Sequence, residues 1–227
     1  MNEKEYFDKG YKKQLQEQYT EAIELHTKAI ELNKDYEPAY VHRAYCKGRL
    51  KDYKGALEDY KIGLSLNRKD PMTYFNMASI IFMNNKDTKN LQYIQKALEL
   101  GTNDAFAYYI RGTIYYNREA FQLAINDFNI AIEKDFYSSH IYCMRATCYM
   151  LIDEPERALE DYNKSIELDN KNAETYFWRG LCYQTKEEYD KAILDYKKAQ
   201  ELGFKGIGKV IKTCLEKQKE QTSLSTK

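Results

Sequence analysis

Acidic and basic side chains cancel in this 227-residue chain, 35 of each, so it lacks the positive footprint that nucleic acid or an anionic membrane surface requires. No apolar run approaches the ~18 residues of a membrane span. The polar opening MNEKEYFDKG predicts no signal peptide, and a soluble, cytoplasmic protein is expected.

Residues 3–36 introduce a pattern that the chain then repeats without a gap. Tyr6, Gly10, Ala22, His26 and Ala29 mark two amphipathic segments, and Lys9, Lys12 and Lys13 make the first of them polar, as suits a solvent-facing end. Residues 37–70 bring Tyr40, Ala44, Ala56, Tyr60 and Gly63 in the same register. Pro38 falls at a first helical turn, where its missing N–H is harmless, and Pro71 and Pro155 also sit at helix starts. Copies at 71–104, 105–138, 139–172 and 173–206 complete six units with a period of 34. The last is the clearest hairpin: an amphipathic segment from Glu174 to about Lys186, a polar turn, a second segment to Leu202, and Gly203 at the C-cap. Beyond Gly206 and Gly208, residues 207–220 predict a lone capping helix with Val210, Ile211, Cys214 and Leu215 as its apolar stripe. The tail 221–227 is expected to be flexible.

Aligned by this period, Tyr6, Tyr40, Tyr74, Tyr108, Tyr142 and Tyr176 form one column. Gly10, Ala44, Ala78, Gly112, Ala146 and Gly180 form a close-approach column on the first helix. Ala22, Ala56, Asn90, Ala124, Ala158 and Ala192 start the second helix's pattern, with a bulky column four residues on and a small one after that. Period and column order resemble the tetratricopeptide repeat family over residues 3–206. The resemblance implies an all-α, right-handed solenoid of six helical hairpins plus the capping helix, acting as a non-catalytic scaffold or adaptor. Asp87, Asn90 and Ile94 depart from the family's usual types, which predicts looser packing in the third copy. The unit-closing proline is replaced at Lys34, Arg68, Thr102, Phe136, Asn170 and Phe204.

Two columns vary together. Arg43, Arg111, Arg145 and Arg179 each have an aspartate in the same copy: Asp59, Asp127, Asp161 and Asp195. The copies with Lys9 and Met77 instead carry Leu25 and Tyr93. A charge-assisted pair across each hairpin is the physical reading. An arginine ladder for an acidic peptide is the functional alternative.

The resemblance places the first helices on an inner wall. The expected partner-binding residues lie on the wall from copies three to six, at Phe75, Phe82, Phe106, Tyr109, Tyr116, Met144, Met150, Phe177 and Trp178, with Phe7, Tyr11, Val41, His42, Tyr45, Met72, Asn76, Met83, Ile110, Thr113, His140, Cys143, Thr147 and Leu181 also on the first-helix face. Such an aromatic, Met-rich wall fits a peptide or helix of a partner protein. The family's clamp for acidic chaperone tails needs Lys and Asn at positions held here by Phe7 and Tyr11, or Val41 and Tyr45, so it is not expected. Self-assembly into a homo-oligomer is the alternative.

Catalytic patterns are scarce. His26, His42 and His140 lie in different copies, and no phosphate-binding glycine loop or H-E-x-x-H is present. His140 and Cys143 share an i, i+3 face but lack further ligands. Neither enzyme activity, cofactor nor metal is expected. Cys46, Cys148 and Cys182 share a column that Ile80 and Ile114 fill elsewhere, which reads as packing. A helix spacing of ~8–10 Å exceeds the reach of a disulfide.

Overall fold

Residues 1–85 and 91–225 are described by a computed structural model, so Asp87 and Asn90 of the third copy lie outside the described residues. Every regular element among the described residues is a helix. In order these are α1 (Glu3–Leu15), α2 (Tyr19–Leu32), α3 (Glu37–Arg49), α4 (Tyr53–Leu66), α5 (Pro71–Asn85), α6 (Leu91–Glu99) and α7 (Ala105–Asn117). Then follow α8 (Phe121–Glu133), α9 (Ser139–Leu151), α10 (Pro155–Leu168), α11 (Ala173–Thr185), α12 (Tyr189–Glu201) and α13 (Gly208–Ser225). The chain divides into two compact units, Met1–Ile114 and Tyr115–Lys227, with the border inside α7. In the first, α1 packs on α2, α3 on α4 and α5 on α6, while α1, α3 and α5 touch in succession. In the second, α9 packs on α10, α11 on α12, α12 on α13, and α9 touches α11.

The hairpin turns have one construction. Glu17, Lys51, Glu119, Asp153 and Glu187 all hold a left-handed backbone, with φ between 59° and 65°. At Lys51 its own N–H donates to Gly48 O and the next N–H, of Asp52, donates to Lys47 O, both near 3.0 Å. The other four repeat these two bonds, which satisfy carbonyls that the ending helix leaves open. Second helices end in two ways. After α6, α8 and α12 the left-handed position is Gly101, Asp135 and Gly203. After α2, α4 and α10 the chain leaves extended, and Asn33, Asn67 and Asp169 fold their side chains onto the N–H two residues on.

The small columns fill the contact between paired helices. Ala22, Ala29, Ala44, Ala56 and Ala97 are fully enclosed in the first unit, with Tyr60 and Ile94 beside them. Ala124, Ala131, Ala146, Ala158, Ala192 and Ala199 are their counterparts in the second, around Phe128, Tyr162 and Tyr196. At Gly180 a Cβ would stand 2.9 Å from the Tyr196 ring, so the missing side chain is what lets ring and helix meet.

The last helix departs from expectation twice. It continues to Ser225 rather than ending at Glu220, and the Thr222 and Ser223 hydroxyls donate to the carbonyls of Gln218 and Glu220. Ile207 and Cys214 join Tyr176, Ile193 and Tyr196 in its core, whereas Leu215 of the expected stripe is exposed. No described helix is long and apolar enough to cross a membrane.

Candidate functional site

The arginine column makes a repeated structural device. Arg43 donates from Nε and Nη2 to the two carboxylate oxygens of Asp59, at 2.8 and 2.7 Å, and from Nη1 to Thr27 Oγ1 at 3.1 Å. Arg145 does the same to Asp161, at 2.6 Å twice, and to Asn129 at 2.7 Å. Arg179 holds Asp195 with two 2.7 Å bonds and reaches Asn163 at 2.7 Å. Each guanidinium also covers the tyrosine three residues earlier, Tyr40, Tyr142 or Tyr176, at 5.5–5.6 Å. Of the remaining expected pair, Asp127 is buried in the second unit and Arg111 covers Tyr108 in the first. With three nitrogens engaged, Arg43, Arg145 and Arg179 are committed to the fold, which disfavours an anion-receiving ladder. Sequence reading missed Thr27, Asn129 and Asn163; they share one column, but its other members are too varied to signal a role.

The expected wall residues fall into two groups. In the first unit Phe75, Phe82, Phe106 and Tyr109 form one aromatic cluster, with centroids 5.7–6.4 Å apart. In the second, Phe177 stacks on Phe204 at 4.5 Å and meets Trp178 edge-on. Phe82, Tyr109 and Met144 are buried, so they lie behind any surface a partner would touch, while Phe75, Phe106, Tyr116, Met150, Phe177 and Trp178 keep partial exposure.

A cleft of about 470 Å³ opens on the α1, α3 and α5 faces of the first unit. Tyr11 and Gln14 line it from α1, Val41, His42 and Tyr45 from α3, and Asp70, Met72 and Asn76 from the start of α5. A smaller hollow shares Tyr45 and Asn76 and adds Arg49, Ser79, Ile80 and Met83. The sequence places six of these residues on the first-helix face, but not Gln14 or Asp70. Asp70 caps α5, accepting from the N–H groups of Met72 and Thr73 at 3.2 and 3.0 Å and from the Thr73 hydroxyl.

Titratable groups near the cleft are held away from their ordinary ranges by burial. His26 is fully enclosed, neither ring nitrogen has a partner in the protein, and its pKa is lowered to about 3 by burial, aided by His42 and Arg43. Burial lowers His42 too, whose Nδ1–H donates to Gln14 Oε1 at 3.0 Å. The Glu37 carboxyl is raised by burial and then by the charge of Asp70. All five cysteines are unbridged and buried. His140 is exposed while Cys143 is buried, so the two do not converge. Among the described residues no three His, Cys, Asp or Glu side chains gather as metal ligands.

Comparison with known proteins agrees with this geometry. Two family profiles match, tetratricopeptide repeat at residues 173–202 and TPR repeat at 154–187. No curated protein matches the sequence. Among solved structures, YrrB, described as a TPR protein with an unusual peptide-binding site, is similar at 22% identity, covering 86% of this chain and 97% of its own, with a TM-score of 0.71. MamA is similar at 25% identity, covering 73% of this chain and 91% of its own, with a TM-score of 0.64. The C-terminal part of a TPR repeat-containing protein from Cytophaga hutchinsonii is similar at 22% identity, covering 86% of this chain and 78% of its own, also with a TM-score of 0.64. With helices paired in sequence along each unit and two repeat profiles matched within residues 154–202, the chain carries tetratricopeptide repeats in its second unit and has the fold of tetratricopeptide repeat proteins.

Proposed function

We propose that the protein is a non-catalytic interaction module of six hairpin units, spanning residues 3–206, that binds an extended segment of a partner protein on its first-helix face. The observation that carries this reading is the open cleft across α1, α3 and α5. It offers an exposed ring at Tyr11, an exposed thioether at Met72 and an amide at Asn76, a mix suited to side-chain and main-chain contact. YrrB, with its own peptide-binding site, supports the same use of the fold. The charge on this cleft is a carboxylate, the wrong sign for an acidic chaperone tail. Five buried, unbridged thiols support a reducing, cytoplasmic setting.

Selection of displayed random peptides on the full chain tests the reading. Tyr45→Ala should weaken the selected peptides at least fivefold with unchanged far-UV circular dichroism. Unchanged affinity would move the binding site elsewhere.

Self-association is a second reading. Leu194 on α12 and Leu215 on α13 are exposed around one shallow depression with Ile193 and Lys197. Sedimentation over a range of concentrations separates the two: a dimer abolished by Leu194→Glu favours assembly, and a monomer throughout rejects it.

A further inference from the structure

Charge is distributed unevenly around the cleft of the first unit. Asp70 is the one carboxylate among its lining residues, and burial favours the neutral form of His42. Among the described residues no cation pairs with Asp70; its partners are two backbone N–H groups and a hydroxyl. Glu37, at the start of α3, also makes no ion pair, and lies close enough for the charge of Asp70 to disfavour its ionisation. The cations of α3 are spent elsewhere. Arg43 and Lys47 both hold Asp59, and Arg49 donates to the Tyr45 hydroxyl while lying over the Tyr19 ring. One carboxylate thus faces a half-enclosed space that no cation among the described residues lines, with Glu37 close by, and there attraction for a positive group is stronger than in open water.

We propose that this cleft selects a partner segment by a lysine or arginine side chain, with Asp70 as its counter-charge. The proposal rests on the peptide-binding reading above and adds its chemistry. The Tyr11 ring, 40% exposed, offers a face to the cation, and the exposed Met72 offers an apolar surface to its methylene stem. Glu37 deepens the negative potential. The volume of about 470 Å³ falls inside the range of pockets that hold a ligand group, roughly 300–1,000 Å³.

The test uses fluorescent octapeptides carrying Lys, Arg, Gln or Glu at one position, titrated against the full chain by polarisation at low and high salt. Lys and Arg peptides should bind about tenfold more tightly than their Gln counterpart at low salt, and this margin should shrink at high salt. Asp70→Asn keeps a good helix cap, so it removes the charge without removing the fold. It should bring the Lys, Arg and Gln peptides to within about twofold of one another, and Glu37→Gln should reduce the preference partway. Binding that Tyr45→Ala weakens but that shows no basic preference overturns this inference and leaves the peptide reading standing. A basic preference that survives Asp70→Asn also overturns it. If none of the peptides binds, both readings fall.

Discussion

Arg145 grips Asp161 with two parallel hydrogen bonds of 2.6 Å, and both side chains are largely shielded from water. A carboxylate removed from that setting leaves a guanidinium without its counter-charge. Asp161→Ala should therefore destabilise the fold by roughly 3 kcal/mol, read as a fall in the urea midpoint. Arg145→Lys should also destabilise it, because an ammonium cannot make the paired geometry and reach Asn129 as well.

The left-handed turn residues make a second prediction. Lys51 and Glu187 pay a steric cost that glycine would not, since a side chain at positive φ crowds its own backbone. Glu187→Gly should raise stability by about 0.5–1 kcal/mol after allowing for the freer unfolded chain. Glu187→Val should lower it by about 1 kcal/mol. Thermal melts of the two variants check the sign.

His26 ties stability to pH. Its folded pKa of about 3 lies below the ordinary value of 6.5, so the unfolded chain takes up the proton first. The stability from keeping it neutral is complete above about pH 6.5 and is lost as pH falls toward 3, by up to ~1.4 kcal/mol per pH unit. His42, lowered as well, acts in the same direction. Phenylalanine fills the same column as Phe128, so His26→Phe should flatten this part of the profile. Urea midpoints between pH 7 and 5 measure the difference.

Tyr109 and Trp178 should part company. Tyr109 is 9% exposed and stacked on Phe106, so Tyr109→Ala should cost roughly 3 kcal/mol of stability. Trp178 is half-buried, with its indole N–H donating to Glu174 at 3.4 Å, and Trp178→Ala should cost about 1 kcal/mol or less. Chemical denaturation of both decides.

The thiols should resist labelling. Burial pushes Cys46 and Cys148 up to about 12 and Cys143 and Cys182 up to about 11, so thiolate is scarce at pH 8. A thiol reagent should modify none of the five within minutes in the folded chain and all five in denaturant.

The repeat was legible because its columns are about contact distance: an alanine at 22, 56, 124, 158 or 192 has one physical meaning at every position. The Arg–Asp pairs were legible for a related reason, since two charges that must meet vary together across copies. What escaped were roles that depend on relations between copies. Asn129 and Asn163 are ordinary polar residues until the arginine of the following hairpin reaches them. Asp70 reads as a helix cap and nothing more, because only the folded first unit sets it beside Tyr11 and Met72. The aromatic wall was half visible for the opposite reason: rings such as Phe82 and Tyr109 serve packing and recognition with one composition, and burial alone separates the two uses.

The third nitrogen of each arginine has a consequence for how such a chain can grow. Because Arg145 and Arg179 each draw on an amide in the hairpin before them, a duplicated or transplanted unit must arrive with its upstream acceptor. Hairpins here are not interchangeable bricks but links with a matched hook and eye. A shuffled array that ignores the match would leave one guanidinium N–H without its acceptor at such a seam, while the aspartate of the same hairpin still holds the charge.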